Sequence, residues 1–108
     1  MNDRTLLELA ARAAGYQFSY SYRSLSSPAV PVILPETGRW RKWDPRHDDG
    51  DALRLAVDAG ILDGNAFSVW LNYRNGAMAI EGLGAREATR LAFVRVAAEI
   101  GKSMGGGE

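Results

Sequence analysis

Residues 65–81 read NAFSVWLNYRNGAMAIE, and the way they are read decides the architecture of the whole chain. Phe67, Val69, Leu71 and Tyr73 recur with a period of two, the spacing of a strand with one buried face. Asn75-Gly76 then supplies the dipeptide that tolerates positive φ at both central positions of a tight two-residue turn. The stretch predicts an antiparallel hairpin, with one strand over 65–73 and its return over 77–81. Strands and helices do not alternate strictly elsewhere, so this hairpin argues against a doubly wound parallel sheet. The predicted fold class is α+β, a small antiparallel or mixed sheet packed by three helices.

Working outward, the segments on either side carry their own local signals. Asn2 or Asp3 caps a first helix that presents Leu6, Leu7, Ala10 and Ala14 on one side and stops at Gly15. Tyr16, Phe18, Tyr20 and Tyr22 alternate with polar residues, which predicts a strand whose tyrosine hydroxyls sit at a sheet rim. Pro28, Pro31 and Pro35 lack a backbone donor, so the extended piece around 32–34 is expected at a sheet edge. Residues 36–38 read as a turn into a second extended run over 39–43, which Asp44-Pro45 ends. Asp48 or Asp49 caps the next helix, with Leu53, Ala56 and Val57 at helical spacing and Gly60 at its close. Beyond residue 84 a third helix places Ala88, Leu91, Val94 and Ala98 inward, leaves Arg86, Glu87, Arg90 and Glu99 wet, and ends near Gly101. The expected organisation is one domain over 1–103 and a flexible glycine-rich tail over 104–108.

Composition narrows the function classes. The 108 residues fit one core and are too few for two. Without cysteine the chain has no disulfide, no thiolate nucleophile and no sulfur-ligated zinc. Thirteen Lys and Arg balance thirteen Asp and Glu, so the basic excess that drives bulk nucleic-acid binding is missing. NDRTLLELAARAAG, after Met1, has neither a basic start with an unbroken apolar run nor a membrane-length stretch, so no membrane association is expected and the cytoplasm is the expected compartment.

Chemistry-bearing residues crowd into WRKWDPRHDDGDALRLAV, residues 40–57. Trp40 and Trp43 stand three apart, so an extended chain points them to opposite faces, one into the core and one outward. An outward indole beside Arg39, Arg41 or Arg46 can stack on a ring while the guanidinium groups hold an anion. His47, Asp48, Asp49 and Asp51 suit a divalent cation by ligand type. They lack the alternate spacing and closing glutamate of a calcium loop, however, and capping with dipole compensation, about 0.3–1 kcal/mol per carboxylate, accounts for them more simply. Ser24, Ser26 and Ser27 lack a nucleophile elbow, and neither GLGAR (82–86) nor DGDAL (49–53) is a complete phosphate loop.

Three pieces, NDRTLLELAARAAGY, WDPRHDDGDALRLAV and REATRLAFVRVAAEIGKSM, together resemble the small bacteriophage proteins of the phage ABA sandwich domain family, which are similar in layout to the phage NinX-like proteins. The middle motif falls on Trp43, Asp44, Pro45, Asp51, Ala52 and Leu53. The resemblance implies a helix–sheet–helix sandwich and a phage or prophage origin, and it brings no catalytic set; the stretch from Pro28 to Pro35 departs from it. The expected function is a non-enzymatic binding module in the infected or lysogenic bacterium, with no cofactor. It engages a host protein or a small nucleotide-like ligand through Arg39, Trp40, Arg41, Trp43 and Arg46, as a homo-oligomer in a counter-defence role that sequesters a nucleotide signal. The competing expectation is a metal-dependent hydrolase using His47, Asp48, Asp49 and Asp51.

Overall fold

A computed structural model describes residues 2–21, 29–35 and 38–105. Its elements run α1 (Asp3–Ala14), β1 (Gln17–Ser21), β2 (Val30–Leu34), β3 (Arg41–Lys42), α2 (Asp49–Asp58), α3 (Gly64–Ala79) and α4 (Ala85–Met104). The α+β class and the antiparallel sheet are as expected, but the described residues contain four helices where the sequence predicts three.

Helix α4 is the hub. Its 20 residues span about 30 Å, and they bury Leu91, Phe93, Val94, Val96, Ala97 and Ala98 around most of its circumference because α1, α2 and α3 all pack on it. Against α1 the packing is close: Ala10 and Ala11 are fully buried, and Gly101 of α4 lies against the Leu9 backbone. A Cβ at Gly101 would overlap the carbonyl oxygen of Leu9 and lie 2.8 Å from its carbonyl carbon. The helix runs three residues beyond the expected stop at Gly101, so Met104, the first residue assigned to the tail, is helical; residues 106–108 lie outside the described ones. Arg90, expected wet, is folded against the protein by its bonds to the Arg46 carbonyl oxygen and to Asp49.

The expected hairpin over 65–81 is helix α3. Ala66, Trp70, Tyr73 and Ala77 recur at i, i+4, i+7 and i+11, and this is the face that lies on α4. Trp70 settles the matter: a period-two strand puts it on the polar side, whereas the helix stacks it on Phe93 with ring centroids 4.9 Å apart and lets its Nε1–H donate to the Thr89 carbonyl oxygen at 3.4 Å. Gly76 does not adopt positive φ, so no turn of the expected type forms there. Tertiary packing overrides the local turn signal.

The sheet has the order β1-β2-β3, with both pairs antiparallel, Tyr20 opposite Pro31 and Val32 opposite Lys42. The proline-bearing strand is therefore central, not at an edge. It is tolerated because Pro31 sits where β3 has run out as a strand: its carbonyl accepts the Trp43 N–H at 3.0 Å, and only the reciprocal bond is lost. Residues 22–28 and 36–37, including Tyr22, the three serines and most of the expected turn, lie outside the described residues.

Trp43 is the largest fully buried side chain, with the rings of Tyr16 and Phe18 set edge-on to it at 6.0 Å each. Tyr16, expected at a rim, is in the core, and its hydroxyl donates to the Asp58 carboxylate at the end of α2. Burial first, and the Asp58 carboxylate second, push this phenol well above its ordinary range. Helix α2 buries Ala52, Leu55 and Ala56, while Leu53 and Val57, expected among its inward residues, face solvent. No described helix is long and apolar enough to cross a membrane.

Candidate functional site

The junction from β3 into α2 is built around one carboxylate. Asp48 has an extended backbone and caps α2, its side chain accepting the Asp51 N–H at 2.8 Å. This turns Asp51 back toward β3, where it is 7% exposed yet fully bonded. Its Oδ2 accepts the Asp44 N–H at 3.0 Å, and its Oδ1 accepts from Arg54 at 2.8 Å and Arg41 at 3.1 Å. Burial raises the Asp51 pKa, but the Asp44 amide and the two guanidinium groups outweigh it, and the carboxyl is held below its ordinary range.

A lowered folded pKa means that Asp51 contributes stability above its unfolded-state value, and that this stability is lost as pH falls through the lower folded value. Thermal melts of the wild type below about pH 4 are expected to show that loss. Asp51→Asn is expected to cost about 1–3 kcal/mol at neutral pH and to flatten the acid limb of the stability profile. An unchanged acid limb in that variant would contradict the assignment.

The neighbouring charges are also committed. His47 Nδ1 lies 2.9 and 3.1 Å from the two Asp44 carboxylate oxygens. Arg46 reaches Asp3 at the start of α1 at 2.9 Å, and Asp49 receives Arg90 at 2.7 Å and Arg86 at 3.5 Å. The four residues of the metal reading thus point to four different tasks: His47 to Asp44, Asp48 to the cap, Asp49 to α4, Asp51 to β3. Among the described residues no group of three or more His, Asp or Glu side chains is placed to hold a cation.

The chain matches no family model, no curated protein and no solved structure.

The two tryptophans separate as the spacing predicts, Trp43 inward at 1% exposure and Trp40 outward at 48%. Trp43 is sealed and unavailable to a ligand. Of the arginines assigned to recognition, Arg41 is tied to Asp51 and Arg46 to Asp3, while Arg39 makes no hydrogen bond or ion pair with another described residue. Lys42 joins the exposed set: it follows Trp40 by two residues in the extended chain and is likewise exposed. The sequence reading leaves it out of the recognition residues, although the same parity that separates the tryptophans marks it.

Neither Arg39 nor Trp40 lines any of four surface clefts of about 430–670 Å³ formed by described residues. The largest lies inside the junction, where Arg41 and Arg54 face Asp51 and His47 faces Asp44. Apart from Lys42, which also lines it, the cations of this cleft are matched within the protein. Arg39 and the open indole of Trp40 lie outside this cleft.

Proposed function

We propose that the protein is a non-enzymatic binding module, a phage or prophage accessory protein that engages an acidic surface of a host protein through Trp40, flanked by Arg39 and Lys42. The observation that carries the reading is an indole 48% exposed next to a cation with no partner among the described residues. Tryptophan and arginine are the residues that most often dominate protein interfaces, where an aromatic anchor is desolvated against a pocket of the partner. A small ligand is served less well, because such sites are concave and bury most of the ligand, whereas Trp40 lines no cleft described above. Phage origin and action in the bacterial cytoplasm are supported by the resemblance of residues 43–57 and the two flanking helices to the phage ABA sandwich proteins.

The test compares affinity capture from bacterial lysate by the wild type, Trp40→Ala and Arg39→Glu, beside calorimetry with cyclic and ADP-ribose-type nucleotides. A host protein retained by the wild type is expected to be lost from both variants, with Trp40→Ala weakening the purified complex by about 30-fold or more, the effect of losing one hot spot. Retention by both variants would overturn the reading. Heat with a nucleotide, abolished in Trp40→Ala, would assign the surface to a small ligand instead.

A further inference from the structure

We infer that the free edge of β1, on the opposite side of the sheet from β3, is a second binding site, which takes an extended peptide of another protein as a fourth, antiparallel strand. The sheet order leaves β1 with a neighbour on one side only, and among the described residues its strand backbone bonds go to β2 alone. Natural edges are blunted by charge, proline or a bulge. Strand β1 has none of these: Gln17–Ser21 carries no charged residue and pairs one-to-one with the five residues of β2. A cleft of about 520 Å³ lies between this strand and α1. Phe18 and Tyr20 on one face of the strand and Ser19 on the other all line it, and no residue of β2 or β3 does, so it opens past the β1 backbone and not under the sheet.

The chemistry of the peptide follows from the α1 wall of the cleft. The chain reverses at Gly15, so α1 runs back along β1, and the Arg4 guanidinium lies over the Tyr20 ring at 5.2 Å. Glu8 stands one turn further along the same wall and makes no hydrogen bond or ion pair with a described residue. Arg4 likewise has no carboxylate partner among the described residues. Residues four apart on a helix are separated by about 6 Å along its axis, and alternate residues of a strand by about 6.7 Å. Successive same-side side chains of an added strand therefore come level with Arg4 and then with Glu8. An antiparallel strand continues the pattern of this sheet and runs in the direction of α1. The fit is acid first and base two residues later, a carboxylate against Arg4 and an ammonium against Glu8. Arg12, at the far end of the wall, already donates to the Gly101 carbonyl oxygen and is not needed. Main-chain bonds to β1 supply the affinity, and the charge pair supplies the choice of sequence.

Fluorescence polarisation on the full chain tests this with a labelled heptapeptide of alternating threonine and valine that carries aspartate at its third position and lysine at its fifth, beside the isomer with those two exchanged. The aspartate-first peptide is expected to bind about 10-fold more tightly than its isomer. The double variant Arg4→Glu with Glu8→Arg, at two exposed positions, is expected to invert that preference, which a misfolded chain does not do. N-methylation of one alternate set of peptide amides is expected to abolish binding and of the other set to spare it, as an added antiparallel strand requires. Trp40→Ala is expected to bind the peptide as the wild type does, so this site stands apart from the Trp40 reading. No binding of either isomer at about 1 mM peptide, equal binding of the two, or a preference that the double variant does not invert would overturn the inference. A wild type that sediments at twice the monomer mass and binds no peptide would overturn it too, giving the edge to a second copy.

Discussion

Gly101→Ala is expected to destabilise the protein by about 2–3 kcal/mol, the opposite sign from what helix propensity alone gives. Within an exposed helix the same change gains about 1 kcal/mol, because alanine loses less backbone entropy than glycine. At position 101 the added carbon meets the Leu9 backbone, which belongs to α1 and has no rotamer to yield. Either the α1–α4 axes separate, opening gaps around Ala10 and Ala11, or the helix end unwinds. The measurement is a thermal melt, in which a chain of this length is expected to lose roughly 10–20 °C. Gly76→Ala belongs in the same experiment: that glycine is also helical but has open space around it, and it is expected to be neutral or stabilising. A Gly101→Ala variant as stable as the wild type would mean that the two helices do not approach this closely.

The second large effect is at Trp43. Trp43→Ala is expected to cost about 3–5 kcal/mol, a large fraction of the total stability of such a domain. The indole is the centre of the core between the sheet and the helices, and removing it leaves Tyr16 and Phe18 facing a cavity. Trp40→Ala, three residues away, is expected to change stability by no more than about 0.5 kcal/mol, as surface substitutions usually do. Urea unfolding of the two variants reads the contrast directly. Equal losses would mean that both indoles are buried.

Several elements were legible because independent local signals coincide. Helix α1 has the Asn2 cap, accepting the Thr5 N–H at 2.8 Å, and the left-handed Gly15 at φ 81°. Helix α2 has the Asp48 cap, and β1 has a clean alternation of exposed and half-buried residues. Residues 65–79 carry two periods at once, and Asn75-Gly76 favours the wrong one; only the presence of α4 alongside selects the helix. The central place of β2 was equally hidden, since whether Pro31 needs a donor depends on where its neighbour ends.

The candidate site divides along the same line. Opposite faces for Trp40 and Trp43 follow from backbone parity alone. Which arginines remain available does not, because Arg46 finds its acid 43 positions away in α1, and Arg90 reaches Asp49 from 41 positions away. Long-range pairing of this kind turns most of the polar run into scaffold and leaves Arg39, Trp40 and Lys42 as the surface that faces outward.

The central claim, that Trp40 is the contact point, is tested most directly by placing a photo-cross-linking phenylalanine derivative at position 40 of the full chain in a bacterial host. A discrete adduct with one host protein, competed away by unmodified chain, is the predicted result. No adduct from position 40, while position 57, which is more exposed, yields one with a host protein, would contradict it.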